Sequence, residues 1–304
     1  MSKNWTSQGL VWDIDKVNIP WLGTHMAVPV INHLEDDVFR AYFCSRDYGN
    51  RSRIGFFDFD INLPKTILNF SQRPVLEFGD LGAFDDCGVT PTAIIHHDGK
   101  YLLYYVGWSR SETVRFGLFA GLAISEDGEN FYRHSLAPIL ERSSVDPYLT
   151  ATSSVLRLDG RWLMWYVSGD GWRKLGDETY PRYNIKLAVS KDGTNWDRKG
   201  RVCIDYDGQD EYAIAKPSVI FEEGVYKMWF CAKGNEYKIH YAESSDGAAW
   251  VRKGEINMRN DVDDFDSLMQ AYPSVIAHKG AKYMLYNGNE YGLHGIGLAK
   301  SRDE

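Results

Sequence analysis

The feature that most constrains the fold is a repeated pair of short apolar runs joined by a glycine turn. Aromatic-rich runs recur as VFRAYFC, YLLYYV, WLMWYV, YKMWFC and YMLYNG, and the last four follow the turns DGK, DGR, EGV and KGA. A second strand-like run precedes each turn, and a third follows each aromatic run after a variable loop. Turn-flanked short strands of this kind indicate an all-β fold.

The turn glycines give the length of the repeat. Gly99, Gly160, Gly224 and Gly280 are spaced 61, 64 and 56 residues apart. Four antiparallel strands per unit, repeated radially, describe a β-propeller. The spacing exceeds the ~40–45 residues of a WD40 blade, and no G-H…W-D signature occurs. We therefore predict one domain over residues 1–304, a five-bladed β-propeller of four-stranded antiparallel blades.

The first residues resemble the end of a repeat. NWTSQGLVW places Gly9 four residues after Trp5, as NWDRKGRV and AWVRKGEI place a glycine after Trp196 and Trp250. The two internal copies follow S-x-D-G turns, whereas the last repeat ends in LAKSRDE. We predict that the N-terminal strand completes the last blade and closes the ring, which would remove exposed sheet edges. The alternative is a chance match, because the chain contains 10 Trp.

Composition narrows the possible partners. A net charge of −8 and a pI near 5.5 disfavour nucleic acid and anionic membranes. No apolar run approaches the ~20 residues that span a bilayer, and the N-terminus lacks the apolar segment of a signal peptide. The four cysteines lack metal-type spacing. We expect a cytoplasmic protein with no cofactor and no metal. The aromatic content of 14% is typical of proteins that stack on sugars, although β-rich cores also use aromatic residues.

Variable loops place the predicted site at one face. Neighbouring strands of a unit run in opposite directions, so the loops that follow the second strands lie on the same face as the connections between units. Binding and catalytic residues are concentrated in variable loops of this kind. The basic residues of this face are Arg46, Arg51, Arg53, Arg110, Arg115, Arg173, Arg182 and Lys216. The candidate stacking residues are Trp21, Trp108, Trp172, Tyr148, Tyr180, Tyr212 and Tyr291, with His25 and His294 nearby. Arginine forks bind carboxylate or phosphate, which leaves open an acidic sugar, a phosphate nucleophile or a sugar nucleotide. Some of these arginines could instead pair with loop acids.

Acidic residues precede the first strands. Fourteen residues before the turn glycines lie Asp85, Asp146, Asp210 and Asp266, and one residue later only Asp86 and Glu211 are acidic. Carboxyl groups held close together raise one another's pKa, which suits a general acid, and glycoside cleavage uses one protonated and one ionised carboxyl group. We predict Asp86, Asp146 and Glu211 as catalytic residues. The alternative is that such acids satisfy backbone N–H groups, bind cations or contact sugar hydroxyls.

These motifs carry a resemblance to a known superfamily. FDDCGVTPT, DEYAIAKPSV, YKMWF and AESSDGAAW resemble the five-bladed propeller glycosidases, namely glycoside hydrolase families 43, 32 and 68 and the related family 130 mannoside phosphorylases. The resemblance covers nearly the whole chain as a repeat pattern. It implies Asp86 as base, Asp146 as the residue that orients and tunes, and Glu211 as general acid. The first blade departs from the pattern, because PWLGTHMAVPV carries His25 and no acid, and the invertase motif W-x-N-D-P is missing.

The leading functional prediction is a glycoside hydrolase-like enzyme that cleaves a glycosidic bond in an oligosaccharide or polysaccharide precursor. The alternatives are a phosphate-dependent glycoside phosphorylase, a non-catalytic carbohydrate-binding propeller and a protein-interaction scaffold. The expected partner is a carbohydrate, with acidic and phosphorylated forms among the options. The predicted substrate-binding residues are Asp85, Arg46, Arg53, Trp108, Arg115, Arg182, Lys216, Asp266 and His25.

Overall fold

The computed structural model describes residues 4–17 and 19–301, the side chains of Lys16 and Leu175 excepted. Its regular structure is β-strand, with two short 3₁₀ helices at Ile14–Lys16 and Asn289–Gly292 and no α-helix in the described ranges. Within those ranges no helix is long and apolar enough to cross a membrane. The all-β prediction is confirmed.

Antiparallel pairing arranges the described strands in five groups, called units 1 to 5. Strand β1 spans Asn4–Asp13. Unit 1 contains β2 (Thr24–Glu35), β3 (Val38–Arg46), β4 (Ser52–Asp60) and β5 (Ile67–Phe70). Unit 2 contains β6 (Gly88–His97), β7 (Lys100–Arg110), β8 (Phe116–Ser125) and β9 (Tyr132–Arg133). Unit 3 contains β10 (Thr150–Leu158), β11 (Arg161–Leu175), β12 (Glu178–Ser190) and β13 (Asp197–Ile204).

The last two units follow the same plan. Unit 4 contains β14 (Ala213–Glu222), β15 (Val225–Lys233), β16 (Tyr237–Ser244) and β17 (Val251–Glu255). The short β18 (Asn257–Arg259) then pairs in parallel with β1. Unit 5 contains β19 (Ala271–His278), β20 (Ala281–Asn287) and β21 (Gly295–Ser301), and β1 pairs antiparallel with β21. The N-terminal strand therefore joins the last unit, as the sequence predicts.

The first strands of the units contact one another in a circle. Contacts join β2 to β6, β6 to β10, β10 to β14, β14 to β19, and β19 to β2. Serines of the repeated PSV and SSV motifs make part of these contacts: Ser218 accepts the N–H of Val275 at 2.9 Å, and Ser274 accepts that of Ile31 at 2.9 Å. Hydrogen bonding nevertheless leaves three separate sheets among the described strands, none of which closes on itself.

Repeated turns connect neighbouring units. In each S-x-D-G turn the serine hydroxyl accepts the glycine N–H, for example Ser190 from Gly193 at 2.9 Å. The glycine carbonyl then accepts a hydrogen bond from an aromatic side chain of the preceding unit, as Gly193 does from Tyr104 at 2.8 Å. The same contact joins Tyr42 to Gly128 at 2.7 Å. The turn signals in the sequence thus also determine how the units are joined.

One predicted loop was wrong. The sequence predicts a variable loop after the aromatic run WLMWYV, but β11 and β12 extend through residues 168–183 as a long hairpin that turns at Gly176 and Asp177. Gly176 has φ +61°, a left-handed conformation that favours glycine. Trp172, Thr179 and Tyr180 are strand-forming residues, so the segment pairs once the turn is made.

Candidate functional site

A cavity of about 500 Å³ opens at the face that carries the long loops, where the sequence predicts the site. All five units contribute to its wall, mainly through the ends of second strands and the loops that follow them. The volume lies within the range of small-molecule sites. Eight of its lining residues are aromatic: Trp108, Phe116, Tyr180, Tyr183, Tyr212, Tyr237, Tyr272 and Tyr291.

Strained backbone positions shape the inner wall. Val28, Lys216 and Tyr272 each precede a proline in a first strand and have φ of 53°, 48° and 58°. The pairing register shifts beside each of them, so each marks a bulge in its first strand. Val28 and Tyr272 line the cavity. Left-handed backbone at a β-branched or bulky residue is costly and is found at binding and catalytic sites.

The cavity is cationic. Arg46, Arg51, Arg110, Arg115 and Lys233 line it, and among the described residues no carboxylate does. Arg51 pairs with Asp47 at 2.9 Å, and Arg115 lies 3.5 Å from Glu178. The other three cations, Arg46, Arg110 and Lys233, form no ion pair with any described residue. Arg46 donates one long hydrogen bond, of 3.5 Å, to the Asn50 side chain. Such a site attracts an anion.

Hydroxyl groups surround Lys233. Its amine donates to the Tyr291 hydroxyl and lies 5.2 Å from the ring centre of Tyr237. The Tyr183 and Tyr237 hydroxyls are hydrogen-bonded to each other. Burial, together with the nearby Tyr183 hydroxyl, raises the pKa of Tyr237 well above its ordinary value. The Tyr183 and Tyr237 phenols therefore stay protonated at neutral pH and can donate hydrogen bonds to a ligand.

His25 lies beside Arg46. Its Nδ1 is 3.0 Å from the Thr24 hydroxyl, and its backbone is left-handed at φ +66°. Burial, followed by the charges of Arg46 and His294, lowers the pKa of His25 to about 4. At neutral pH the ring is thus a neutral hydrogen-bonding group.

Two thiols also line the cavity. Burial raises the pKa of both Cys44 and Cys87 above the ordinary thiol value. A protonated thiol is a poor nucleophile, so neither cysteine is activated for covalent catalysis. The described residues contain no group of three or more His, Cys, Asp or Glu side chains that could hold a metal ion.

The repeated acids lie outside the cavity lining and share a different pattern. Asp85 is buried, pairs with Arg133 at 2.8 Å and accepts the Tyr105 hydroxyl at 3.1 Å. Asp146 pairs with Arg198 at 3.0 Å and accepts the Tyr166 hydroxyl at 3.1 Å. In each case the acid before the first strand binds a tyrosine of the second strand and an arginine of the fourth.

Glu211 and Asp266 repeat parts of this pattern. Glu211 pairs with Arg252 at 2.7 Å. Burial would raise the pKa of Glu211, but Arg252 and the N–H of Asp207 hold it below its ordinary value. A general acid needs the opposite shift. Asp266 is buried and accepts the Tyr286 hydroxyl at 2.8 Å.

Asp86 differs from the other predicted catalytic acids. It forms no ion pair among the described residues; Oδ2 accepts the Gly82 N–H at 3.0 Å, and Oδ1 is buried with no hydrogen-bond partner. The next residue, Cys87, lines the cavity. The catalytic roles of Asp86, Asp146 and Glu211 stay predictions, and the geometry favours a chemical role only for Asp86.

The predicted substrate-binding residues divide into two sets. Arg46, Trp108 and Arg115 line the cavity. Arg53 pairs with Asp47 and Glu77, and Arg182 lies 3.6 Å from Asp170, both outside the lining. Lys216 is buried, and its amine donates to the Thr92 carbonyl oxygen at 3.1 Å.

Several lining residues were missed or left outside the predicted site. Arg51 and Arg110 belong to the predicted basic face but not to the predicted substrate-binding residues, and Lys233, Tyr183, Tyr237 and Tyr272 belong to neither set. Lys233 follows Cys231 by two residues, as Arg46 follows Cys44, at the ends of the matching strands β15 and β3. This correspondence can be read from the sequence and identifies Lys233 as a candidate site residue.

Relatives with similar sequences place the chain in a family. It is 40% identical over 282 residues to "Uncharacterized protein MT1551" of Mycobacterium tuberculosis (strain CDC 1551 / Oshkosh), an alignment that covers 92% of this chain and 94% of that protein. The chain belongs to the same family as this mycobacterial protein. A second relative is 27% identical over 143 residues, 46% of each chain: the 1,2-beta-oligomannan phosphorylase of Thermoanaerobacter sp. (strain X514). No family model matches the chain.

Solved structures show the same fold at low sequence identity. A structure described as "Glycoside hydrolase" superposes with a TM-score of 0.71 at 18% identity, over 95% of this chain and 94% of that one. Another superposes with a TM-score of 0.73 at 15% identity, over 99% of this chain and 94% of that one. It is described as "The GH130 family of mannoside phosphorylases contains glycoside hydrolases that target beta-1,2 mannosidic linkages in Candida mannan". The fold is therefore that of glycoside hydrolases and phosphorylases.

Proposed function

We propose that the protein is a carbohydrate-active enzyme that cleaves a glycosidic bond by phosphorolysis. The observation that carries the proposal is the cavity lining, which has five cationic side chains and, among the described residues, no carboxylate. Hydrolysis needs two carboxyl groups beside the bond, one for the leaving oxygen and one for the water or the sugar. Phosphorolysis needs one acid and a cationic site for phosphate.

The proposed reaction uses residues at one side of the cavity. Arg46 and Arg110, which form no ion pair with any described carboxylate, bind inorganic phosphate. A phosphate oxygen forms a bond to the anomeric carbon while the bond from that carbon to the leaving oxygen breaks. Asp86, next to the lining residue Cys87, takes the role of acid instead of the base that the resemblance implies, and supplies the proton that the leaving oxygen takes up. The products are a sugar 1-phosphate and a shortened carbohydrate.

The proposal also includes a closed β-propeller fold and a cytoplasmic location. We take units 1 to 5 as one closed five-bladed β-propeller formed by a single domain, supported by the circle of first-strand contacts and by the pairing of β1 with β21. The cysteines Cys44, Cys87, Cys203 and Cys231 are all free thiols, which supports a reducing, cytoplasmic setting.

Phosphate dependence tests the proposed reaction. Wild-type protein is incubated with a panel of neutral and acidic oligosaccharides that includes β-1,2-linked mannosides, with and without phosphate. We expect sugar 1-phosphate to form only with phosphate present. Asp86→Asn should lower kcat about a hundredfold or more, because the general acid is lost. Arg46→Met should raise the KM for phosphate, and Arg182→Met, outside the lining, is its control.

Two outcomes would contradict the proposal. Cleavage without phosphate would indicate hydrolysis, with water as nucleophile. Saturable carbohydrate binding without any cleavage would support the second candidate, a non-catalytic binding protein. The absence of carboxylates from the described cavity lining favours that candidate over hydrolysis.

A further inference from the structure

The cations of the cavity lie on two opposed walls. Units 1 and 2 provide Arg46, Arg51, Arg110 and Arg115, and unit 4 provides Lys233. The circle of first strands places unit 3 between units 2 and 4, and unit 5 between units 4 and 1. Lys233 therefore faces the arginine wall across the cavity.

Lys233 is charged and has no described counter-ion. It is half-buried, its amine donates to Tyr291, and the carboxylate of Glu236 is too far away to form an ion pair. Burial alone would lower the pKa of Lys233, but the Tyr291 and Tyr212 hydroxyls and Glu236 keep it above its ordinary value. Burying an ammonium group without a counter-charge is unfavourable unless a ligand supplies one.

Hydrogen-bond donors accompany this charge. The Tyr237 and Tyr183 hydroxyls share one hydrogen bond between them, so one of the two protons is left free to donate to another acceptor. Tyr291 accepts from Lys233 and retains its own proton for donation. An ammonium group with phenol donors is a suitable set of ligands for an oxyanion.

We propose that Lys233, Tyr237 and Tyr291 form a subsite for an acidic substituent on the carbohydrate itself, a carboxylate or a phosphate ester. This deepens the proposed function and rests on its assumption that the cavity binds carbohydrate. A single inorganic phosphate on the arginine wall leaves Lys233 without a counter-ion among the described residues, and an acidic group on the sugar would supply one. The substrate class is therefore an acidic oligosaccharide, which binds with its charged group toward unit 4.

The test compares matched acidic and neutral sugars by calorimetry on the full chain. The pairs are glucuronate with glucose, galacturonate with galactose and mannuronate with mannose, and the 6-phosphates of the neutral sugars separate phosphate from carboxylate recognition. We expect at least one acidic sugar to bind roughly tenfold more tightly than its neutral partner, as for one charge-assisted contact. Lys233→Met should remove that preference, and Lys233→Arg should restore part of it.

A control variant distinguishes loss of the subsite from a general effect of removing a lysine. Lys199→Met changes an exposed lysine outside the lining and should leave the preference intact. Equal binding of every acidic and neutral pair, or a preference that survives in a folded Lys233→Met variant, overturns the inference. Inorganic phosphate should bind wild type and Lys233→Met within about twofold. Phosphate-dependent turnover with no preference for acidic sugars refutes only the subsite; a Lys233-dependent preference without phosphate binding refutes only the phosphorylase.

Discussion

The side chain of Asp146 shows how one buried charge depends on its neighbours. It is fully buried and accepts hydrogen bonds from Ser168 at 2.6 Å and Arg198 at 3.0 Å, while Lys186 lies at 3.4 Å. Removing a buried carboxylate leaves its cationic partners in the protein interior without a counter-charge. Asp86 has no such cation partner among the described residues, so the two acids should respond differently to the same substitution.

Asp146→Asn should lower the free energy of unfolding by about 3–5 kcal/mol, because Arg198 and Lys186 lose their counter-charge in a buried site. Asp86→Asn should cost less than about 1 kcal/mol. Urea unfolding at pH 7 measures both. Equal losses in the two variants would show that Asp86 is also part of the structural framework.

Lys216 gives a pH-dependent prediction. Burial lowers the pKa of Lys216 to about 8, so between about pH 8 and 10.5 the unfolded chain binds a proton that the folded chain does not. The contribution of Lys216 to the free energy of unfolding should therefore rise by roughly 2–4 kcal/mol as the pH increases through that window. Lys216→Met should be more stable than wild type at pH 7 and lack the rise. A parallel pH profile in the two proteins would contradict the assignment.

Sequence spacing located these residues without giving their roles. Counting back from the turn glycines found Asp85, Asp146 and Asp266, because their position before a first strand is local. Their partners, such as Arg198, lie on the fourth strands and are met only when the chain folds back. The roles of these acids therefore depend on cross-strand contacts that no local pattern contains.

At the scale of elements, the turns carry strong local signals and the strands follow from them. The YLLYYV run lies inside β7 (Lys100–Arg110), as predicted. Gly200 and Gly254, four residues after a tryptophan, have φ of 70° and 91°, so the glycines mark backbone bulges in equivalent strands. The long β11–β12 hairpin was missed because its polar and glycine content masks its strand-forming residues.

Tyr104→Phe tests how one element joins the next. The substitution removes the hydrogen bond to the Gly193 carbonyl oxygen, at 2.8 Å, that holds a turn of unit 3 against unit 2. The free energy of unfolding should fall by about 0.5–1.5 kcal/mol, plus the cost of an unsatisfied carbonyl. Tyr132→Phe, on an exposed side chain, is a control that should change little. No loss for Tyr104→Phe would mean that water replaces the bond.

For the whole molecule, several contacts join the beginning of the chain to its last unit. β1 pairs with β21, Ser274 accepts the N–H of Ile31, and His278 Nε2 lies 2.7 Å from Asp37 Oδ1. Each contact joins residues more than two hundred positions apart in the sequence. Such contacts couple the two ends of the chain, so local opening at either end should weaken the entire circle of units.

Trp5→Ala tests this coupling. Trp5 is 2% exposed and packs edge-on against Trp229 of unit 4 at 5.8 Å between ring centres. Loss of this buried side chain should cost about 3–5 kcal/mol. If the units form one cooperative ring, tryptophan fluorescence and far-UV circular dichroism should still report a single, coincident transition at a lower urea midpoint. Trp172→Ala, in the half-buried hairpin, should shift the midpoint less. A separate early transition in Trp5→Ala would show that β1 and unit 5 unfold independently, and that the other units do not need a closed ring.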